Sequence, residues 1–498
     1  MPDQSQPKPQ PQPPTEPDLT DQVSVTTHEV TIGGERIRYT ATTGLLVLRE
    51  EVSGKGEEEG KSKGHLPKAK VFITAYTRDD VEDKASRPIT FAFNGGPGSS
   101  SVWLHLGVLG PKRVVLSDEG AALPAPYRLV DNDYSLLDVS DLVFIDPVST
   151  GFSRAVAGEK AGDYHGFKAD LESVGEVIRL WLGRSGRWLS PKYLAGESYG
   201  TTRAAGLAGH LQSRHGIYLS GVMLISSILD FSTARFEPGN DLPPLLFLPT
   251  YTATAWYHGK LAPDLQAKPL TEVLAEVEAF ALDRYAPALL RGGALAAGER
   301  QEVARLLARY TGLPQAVVEQ ANLRIDIRRF CKGLLRDERK TVGRLDSRFT
   351  GHDRDAAGER PEYDPSYAQI QGPYTAALND YIRRELAFDS DLIYEILTSL
   401  YQKWSYKEFE NRYVNVGETL RQAMSMNPAL RVHVASGYYD LATPYFATRY
   451  TLDHLALEEE LHGNISTSYY EAGHMMYVQL ESLAKLKSEL AGFLDLGS

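Results

Sequence analysis

Apolar and polar positions alternate in HEVTIGGERIRYTATTGLLVLREE (28–51) and again in KAKVFITAYTRDD (68–80). A period of two marks strands that bury one face. The intervening VSGKGEEEGKSKGHLPK is charged and glycine-rich, so the pattern predicts two long antiparallel strands joined by a mobile hairpin loop. Four short apolar runs follow: ITFAFN (89–94), DLVFIDP (141–147), KYLAGE (192–197) and GVMLISSIL (221–229). Each has the unbroken hydrophobicity of a strand buried on both faces. Helical or irregular stretches separate them, among them FKADLESVGEVIRLWLGRS (167–185), with apolar residues at helical spacing. Strands alternating with helices predict an α/β fold with a mainly parallel central sheet and helices on both faces.

The rhythm breaks after Leu229. Helical periodicity dominates LTEVLAEVEAFALDRY and GERQEVARLLARYTG, with polar loops such as FTGHDRDAAGERPEYDP between such segments. Alternation returns at LRVHVASGYYD (430–440), then a helical YFATRYTLDHLALEEELH and a strand ISTSYYEAGH (465–474). The expected organisation is one α/β domain, residues 23–231 and 411–498, interrupted by a helix-rich cap insertion, 232–410, over the active-site edge of the sheet. Residues 1–22, rich in Pro and Gln, bury too little apolar surface to fold and are expected to form a disordered tail. This segment lacks the basic and apolar regions of a secretory signal, and no run of 18 apolar residues suggests a membrane span. A low-complexity tail also follows a cleaved or anchored N-terminus, so cytoplasmic and periplasmic or secreted locations both stay open.

Composition narrows the partners. The 498 residues carry 53 basic and 65 acidic side chains, a formal charge of −12, which argues against nucleic acid or an anionic membrane surface. A homodimer is left open. Cys331 is the only cysteine, so no intramolecular disulfide forms, and it reads as a small buried apolar residue. No metal or other cofactor is called for.

The chemistry centres on AGESYG (195–200), where Gly196-Glu197-Ser198-Tyr199-Gly200 fits GxSxG between a strand and the helix-forming TTRAAGLAGHLQ. A serine on such a turn takes a strained backbone, and side chains two residues to either side would collide where strand and helix meet. The base and its orienting acid are expected after it, in the order Ser, Asp or Glu, His. His454 and His462 lie in a helical stretch and read as solvated, whereas His474 follows a strand and Asp440 ends one. Ser198 is therefore expected as nucleophile, His474 as general acid/base and Asp440 as its orienter. An oxyanion hole needs the NH of Tyr199 and one from an early glycine-rich loop, which FNGGPGSSS (93–101) supplies. Ser99 to Ser101 are placed to cap the next helix.

Together FNGGPGSSS, FIDPVSTGFSR, AGESYG, SGYYDLATP and EAGH resemble the serine carboxypeptidase family, peptidase family S10, in a bacterial member, from about residue 30 to the C-terminus. The resemblance implies the α/β-hydrolase fold and removal of single residues from peptides with a free C-terminus. It implies Ser198, Asp440 and His474 as triad, the NH groups of Gly96 and Tyr199 as oxyanion hole, and Asn94, Gly95 and Glu197 as binders of the substrate carboxylate. Three departures stand out: Ser99 replaces the family's cysteine, Ala92 a tryptophan, and Val108 a glutamate two residues before Gly110-Pro111. Glu197 can assist a carboxylate only when protonated, a state that burial favours. The alternatives are an esterase or acyltransferase on the same fold and, from another class, a non-catalytic binding protein. The aromatics of LPTYTATAWYHGKL (248–261) read first as helix core and second as candidates to line the pocket for the C-terminal residue.

Overall fold

The computed structural model describes residues 19–53 and 59–495. Residues 1–18 of the expected tail, and 54–58 of the expected hairpin loop, lie outside the described residues. The chain is ordered before the expected end of the tail at residue 22: the Asp21 carboxylate accepts the Val47 amide at 2.8 Å and pairs with Arg184 at 2.7 Å, and a strand starts at Gln22.

The N-terminal alternation forms three antiparallel strands, not two: β1 (Gln22–Ile32), β2 (Glu35–Ser53) and β3 (Ser62–Arg78). Gly33 and Gly34, with φ of 56° and 86°, make the two-residue turn that divides the stretch 28–51. Pairing of β2 with β3 continues through Glu51↔His65 to Ser53↔Ser62, well into the segment expected to be loop. Glu59, Lys61 and His65 are exposed there, while ladder hydrogen bonds need only backbone.

The remaining apolar runs become β4 (Ile89–Phe93), β5 (Asp141–Ile145), β6 (Lys192–Ser198), β7 (Gly221–Ser227), β8 (Arg431–Gly437) and β9 (Ile465–Tyr470). The sheet order is β1-β2-β3-β5-β4-β6-β7-β8-β9, with a two-residue strand, Arg154–Ala155, set against β3. From β5 to β9 all neighbours are parallel. Successive side chains enter opposite layers: Phe91, Val143, Leu194 and Val222 meet the core under α1 (Phe167–Ser185) and α2 (Tyr199–His215). Ala92, Phe144, Ala195 and Met223 meet the other core. Two buried faces explain why these strands read as unbroken apolar runs.

Within 232–410, the helices from α3 (Leu242–Tyr257) to the short helix Ile327–Gly333 share an apolar core around Leu246, Val277, Leu307 and Phe330, which extends to Tyr439 and Tyr445. By contrast α4 (Pro365–Arg384) packs Ile370, Tyr374, Leu378 and Tyr381 into the sheet core, alongside α5 (Leu480–Asp495). Between α4 and β8 the chain is largely irregular, with short 3-10 turns and the helix Gly417–Met426. Cys331 is buried in the cap core, and burial pushes its thiol up, away from the reactive thiolate. Among the described residues no helix is long and apolar enough to cross a membrane.

Candidate active site

Strand β6 runs into α2 at Ser198, whose φ of 59° and ψ of −129° place a non-glycine residue in a sparsely populated backbone region. The surroundings hold it there. A Cβ on Gly196 would collide with the carbonyl of Gly200, and one on Gly200 would stand 2.7 Å from the Phe93 carbonyl oxygen. Both glycines are therefore required by the closeness of β4, β6 and α2.

Asp440 is fully buried just beyond β8. Its Oδ1 accepts the amides of Ala442 at 2.7 Å and Thr443 at 3.0 Å, and its Oδ2 accepts the Thr443 hydroxyl at 2.7 Å. The same Oδ2 lies 2.7 Å from His474 Nδ1. A proton on Nδ1 makes that bond and leaves Nε2 free as an acceptor. The His474 backbone is clamped, its NH donating to Leu345 O and its carbonyl accepting from the Ser226 hydroxyl, each at 2.6 Å. Burial alone would push the imidazole pKa down, but the charge and hydrogen bond of Asp440 outweigh it and raise the value above 6.5. Ser198 and His474 line one cavity of about 490 Å³. Among the described residues no hydrogen bond joins them directly, as in many sites that tighten only around substrate.

Glu197 is 3% exposed. Its Oε1 accepts from Asn94 Nδ2 at 2.9 Å and its Oε2 from the Tyr477 hydroxyl at 2.5 Å. Burial pushes its carboxyl up to about 7, against the opposing pull of His474 and of those two donors. Asn94 is itself fixed, its Oδ1 accepting the Leu104 amide at 3.1 Å. The glycine loop lies directly on the start of α2, since a Cβ on Gly95 would collide with the Tyr199 nitrogen. Gly96, at φ 102°, adopts a conformation closed to other residues. The NH-bearing end of α2 thus borders the loop, a setting suited to negative charge.

Several supporting residues escape sequence reasoning. Tyr477 and Glu197 are 280 positions apart, with no local signal linking them. Arg203 is fully buried, pairs with Asp170 at 2.8 Å, donates to Asn94 O at 2.6 Å and lies over the Phe93 and Tyr199 rings. A lone arginine among small residues in TTRAAGLAG was its one available hint. Asp346 accepts the Gly473 amide at 3.2 Å and so braces the His474 loop.

Three expectations change. The Ser101 hydroxyl donates to Asp146 Oδ1 at 2.7 Å and makes no helix cap, and Ser99 Oγ accepts from Trp103 Nε1 at 2.9 Å. Of the two readings of the aromatics in 248–261, the core one holds for Tyr251, which fills the cap core, and the pocket one fails, since none lines the Ser198 cavity and Trp256 and Tyr257 border a separate groove. Trp103, Phe231, Tyr367, Tyr401 and Tyr406 line the cavity instead. Val108 is buried in the sheet core, leaving Tyr477 to meet the second oxygen of Glu197.

Residues 68–265 match the family model described as serine carboxypeptidase. Serine carboxypeptidase-like 37 of Arabidopsis thaliana is 29% identical over 172 residues, covering 32% of this chain and 34% of that protein. The pheromone-processing carboxypeptidase KEX1 of Saccharomyces cerevisiae is 36% identical over 105 residues, 21% of this chain and 13% of that protein. The matched stretches thus span about a third or less of these relatives. The crystal structure of KEX1ΔP, a prohormone-processing carboxypeptidase from Saccharomyces cerevisiae, aligns with a TM-score of 0.53 at 16% identity, covering 92% of this chain and 91% of that one. At that identity the likeness is one of fold, the α/β-hydrolase fold.

Proposed function

Because residues 68–265 match the serine carboxypeptidase family model, we propose that the chain is a member of that family and removes single residues from the C-termini of peptides through an acyl-enzyme intermediate. The substrate's terminal carboxylate rests on Asn94, Gly95 and the protonated Glu197, which sets the scissile carbonyl at Ser198. His474 Nε2 takes the Ser198 proton as Oγ attacks, and Asp440 steadies the imidazolium. The NH groups of Gly96 and Tyr199 receive the oxyanion. The intermediate collapses as His474 passes its proton to the departing amine; a water activated by the same imidazole then releases the shortened peptide. With one cysteine and hence no internal disulfide, stability rests on packing, which suits a reducing or an oxidising compartment.

The observation that carries this reading is Glu197: a buried carboxyl beside the nucleophile, pushed to about 7, so that it is largely protonated in mildly acidic solution. The test compares a blocked dipeptide with its C-terminal amide, with Ser198→Ala as control. Cleavage of the free acid and not the amide supports the reading. Equal rates overturn it in favour of an esterase or acyltransferase, and failure of an organophosphate to label Ser198 favours a binding protein.

A further inference from the structure

The cavity at Ser198 holds two guanidinium groups that this mechanism leaves unused. Arg235 and Arg344 both line it, both are exposed, and neither guanidinium has a hydrogen-bond or ion-pair partner among the described residues. Some exposed arginines elsewhere pair, as Arg291 with Glu299 at 2.7 Å and Arg305 with Glu302 at 2.8 Å, while others, Arg214 and Arg284 among them, face solvent without a partner among the described residues; what sets Arg235 and Arg344 apart is that both line the reactive cavity. On a chain of net charge −12, two free cations at the mouth of the reactive cavity call for a ligand.

The cavity's own acids do not fill that role. Glu197 faces Asn94 and Tyr477 and is held near-neutral. Asp364 Oδ1 accepts the amides of Arg344 at 3.1 Å and Ser366 at 3.0 Å and the Ser366 hydroxyl, while Oδ2 accepts the Leu345 amide at 3.2 Å. Its oxygens are engaged by backbone amides of the 344–345 segment and by Ser366, not by a guanidinium.

The two arginines flank different parts of a bound peptide. Arg344 precedes Leu345, whose carbonyl holds the His474 amide, and its charge opposes protonation of His474. The departing residue must lie between His474, which protonates its amine, and Asn94 and Glu197, which hold its carboxylate, so its side chain borders Arg344. Arg235 lies over the Phe231 ring, Phe231 packs on Tyr406 at 5.8 Å, and Tyr406 packs on Tyr199 at 6.5 Å, beside the nucleophile. That places Arg235 on the acyl side.

We infer that this cavity selects acidic peptides, Arg344 meeting an Asp or Glu side chain on the C-terminal residue and Arg235 one on the residue before it. The inference rests on the carboxypeptidase reading. A guanidinium offers a carboxylate two parallel hydrogen bonds and repels Lys or Arg at the same position, so attraction and exclusion act together.

The test is a set of blocked dipeptides with Glu, Gln or Lys at each of the two positions, assayed for kcat/KM on wild type, Arg344→Glu and Arg235→Glu. Wild type should favour Glu over Gln by roughly tenfold at each position, and over Lys by more. Arg344→Glu should invert the Glu/Lys ratio at the final position and Arg235→Glu at the penultimate one. Each ratio compares two substrates on one enzyme preparation, so incomplete folding of a variant cancels. Equal wild-type rates whatever the side-chain charge, or ratios unmoved by the variants, overturn the inference while leaving carboxypeptidase activity standing. Cleavage of none of the peptides overturns both.

Discussion

The Tyr477 hydroxyl donates a 2.5 Å hydrogen bond to Oε2 of Glu197, joining the loop that carries His474 to the strand end that carries Ser198. The contact couples the two groups, in addition to the separate anchors of His474 on Leu345, Ser226 and Asp440 and of Glu197 on Asn94. Burial pushes the phenol far above its ordinary range, so Tyr477 stays a neutral donor throughout the working range of pH.

Removing that donor has a defined sign. The Tyr477 bond favours the ionised carboxyl, so Tyr477→Phe should raise the Glu197 pKa above about 7 and keep KM for free-acid peptides low to a more alkaline pH. Measuring KM against pH for both enzymes checks this; a mutant limb displaced to lower pH would contradict it.

Glu197→Gln should abolish the same limb. In the wild type the carboxyl loses its proton as pH rises through about 7, and the resulting anion repels the substrate carboxylate. An amide cannot ionise, so KM should stay flat between pH 6 and 9. The substitution also has a stability signature. A carboxyl raised in the folded state from 4.5 to about 7 contributes stability that is present below 4.5 and lost as pH climbs through 7. That interval corresponds to about 3 kcal/mol. Denaturant unfolding across this range should show the slope in wild type and a smaller one in the mutant.

Asp440→Asn tests the support of His474. The carboxylate is what raises the imidazole pKa against burial. Activity is lost as pH falls through that pKa, so lowering it should move the acid limb of kcat/KM to lower pH. The amide also disturbs the required tautomer, and kcat should fall by about 10⁴-fold. A loss under tenfold would argue against this role for Asp440.

Gly200→Ala should destabilise the fold rather than the chemistry alone. Its added carbon would stand 2.7 Å from the Phe93 carbonyl oxygen, a backbone atom held in the central strand β4. Overpacking of this kind costs about 1–3 kcal/mol, readable as a fall in Tm. An unchanged Tm would mean that β4 and α2 are free to separate.

What was legible in the sequence was local. The runs at 89–94, 141–147, 192–197 and 221–229 read as strands because each is buried on both faces and carries its own signature. The turn at Ser198 is written in five consecutive residues, since the glycines and the strained serine all serve one bend. Other features depended on which surfaces meet. Helical spacing in α4 shows that one face is apolar without showing whether the cap core or the sheet core receives it. Tyr251 likewise reads as a pocket aromatic or a core one until its neighbours are known. The bond from Tyr477 to Glu197 and the two free guanidiniums of Arg235 and Arg344 belong to the same class. Periodicity and turn chemistry are properties of neighbouring residues, so the sequence determined the elements and the turn at Ser198. Contacts between residues hundreds of positions apart arise when packed layers exclude water, so the carboxyl's protonation and the charge of the cavity mouth were decided by the tertiary structure.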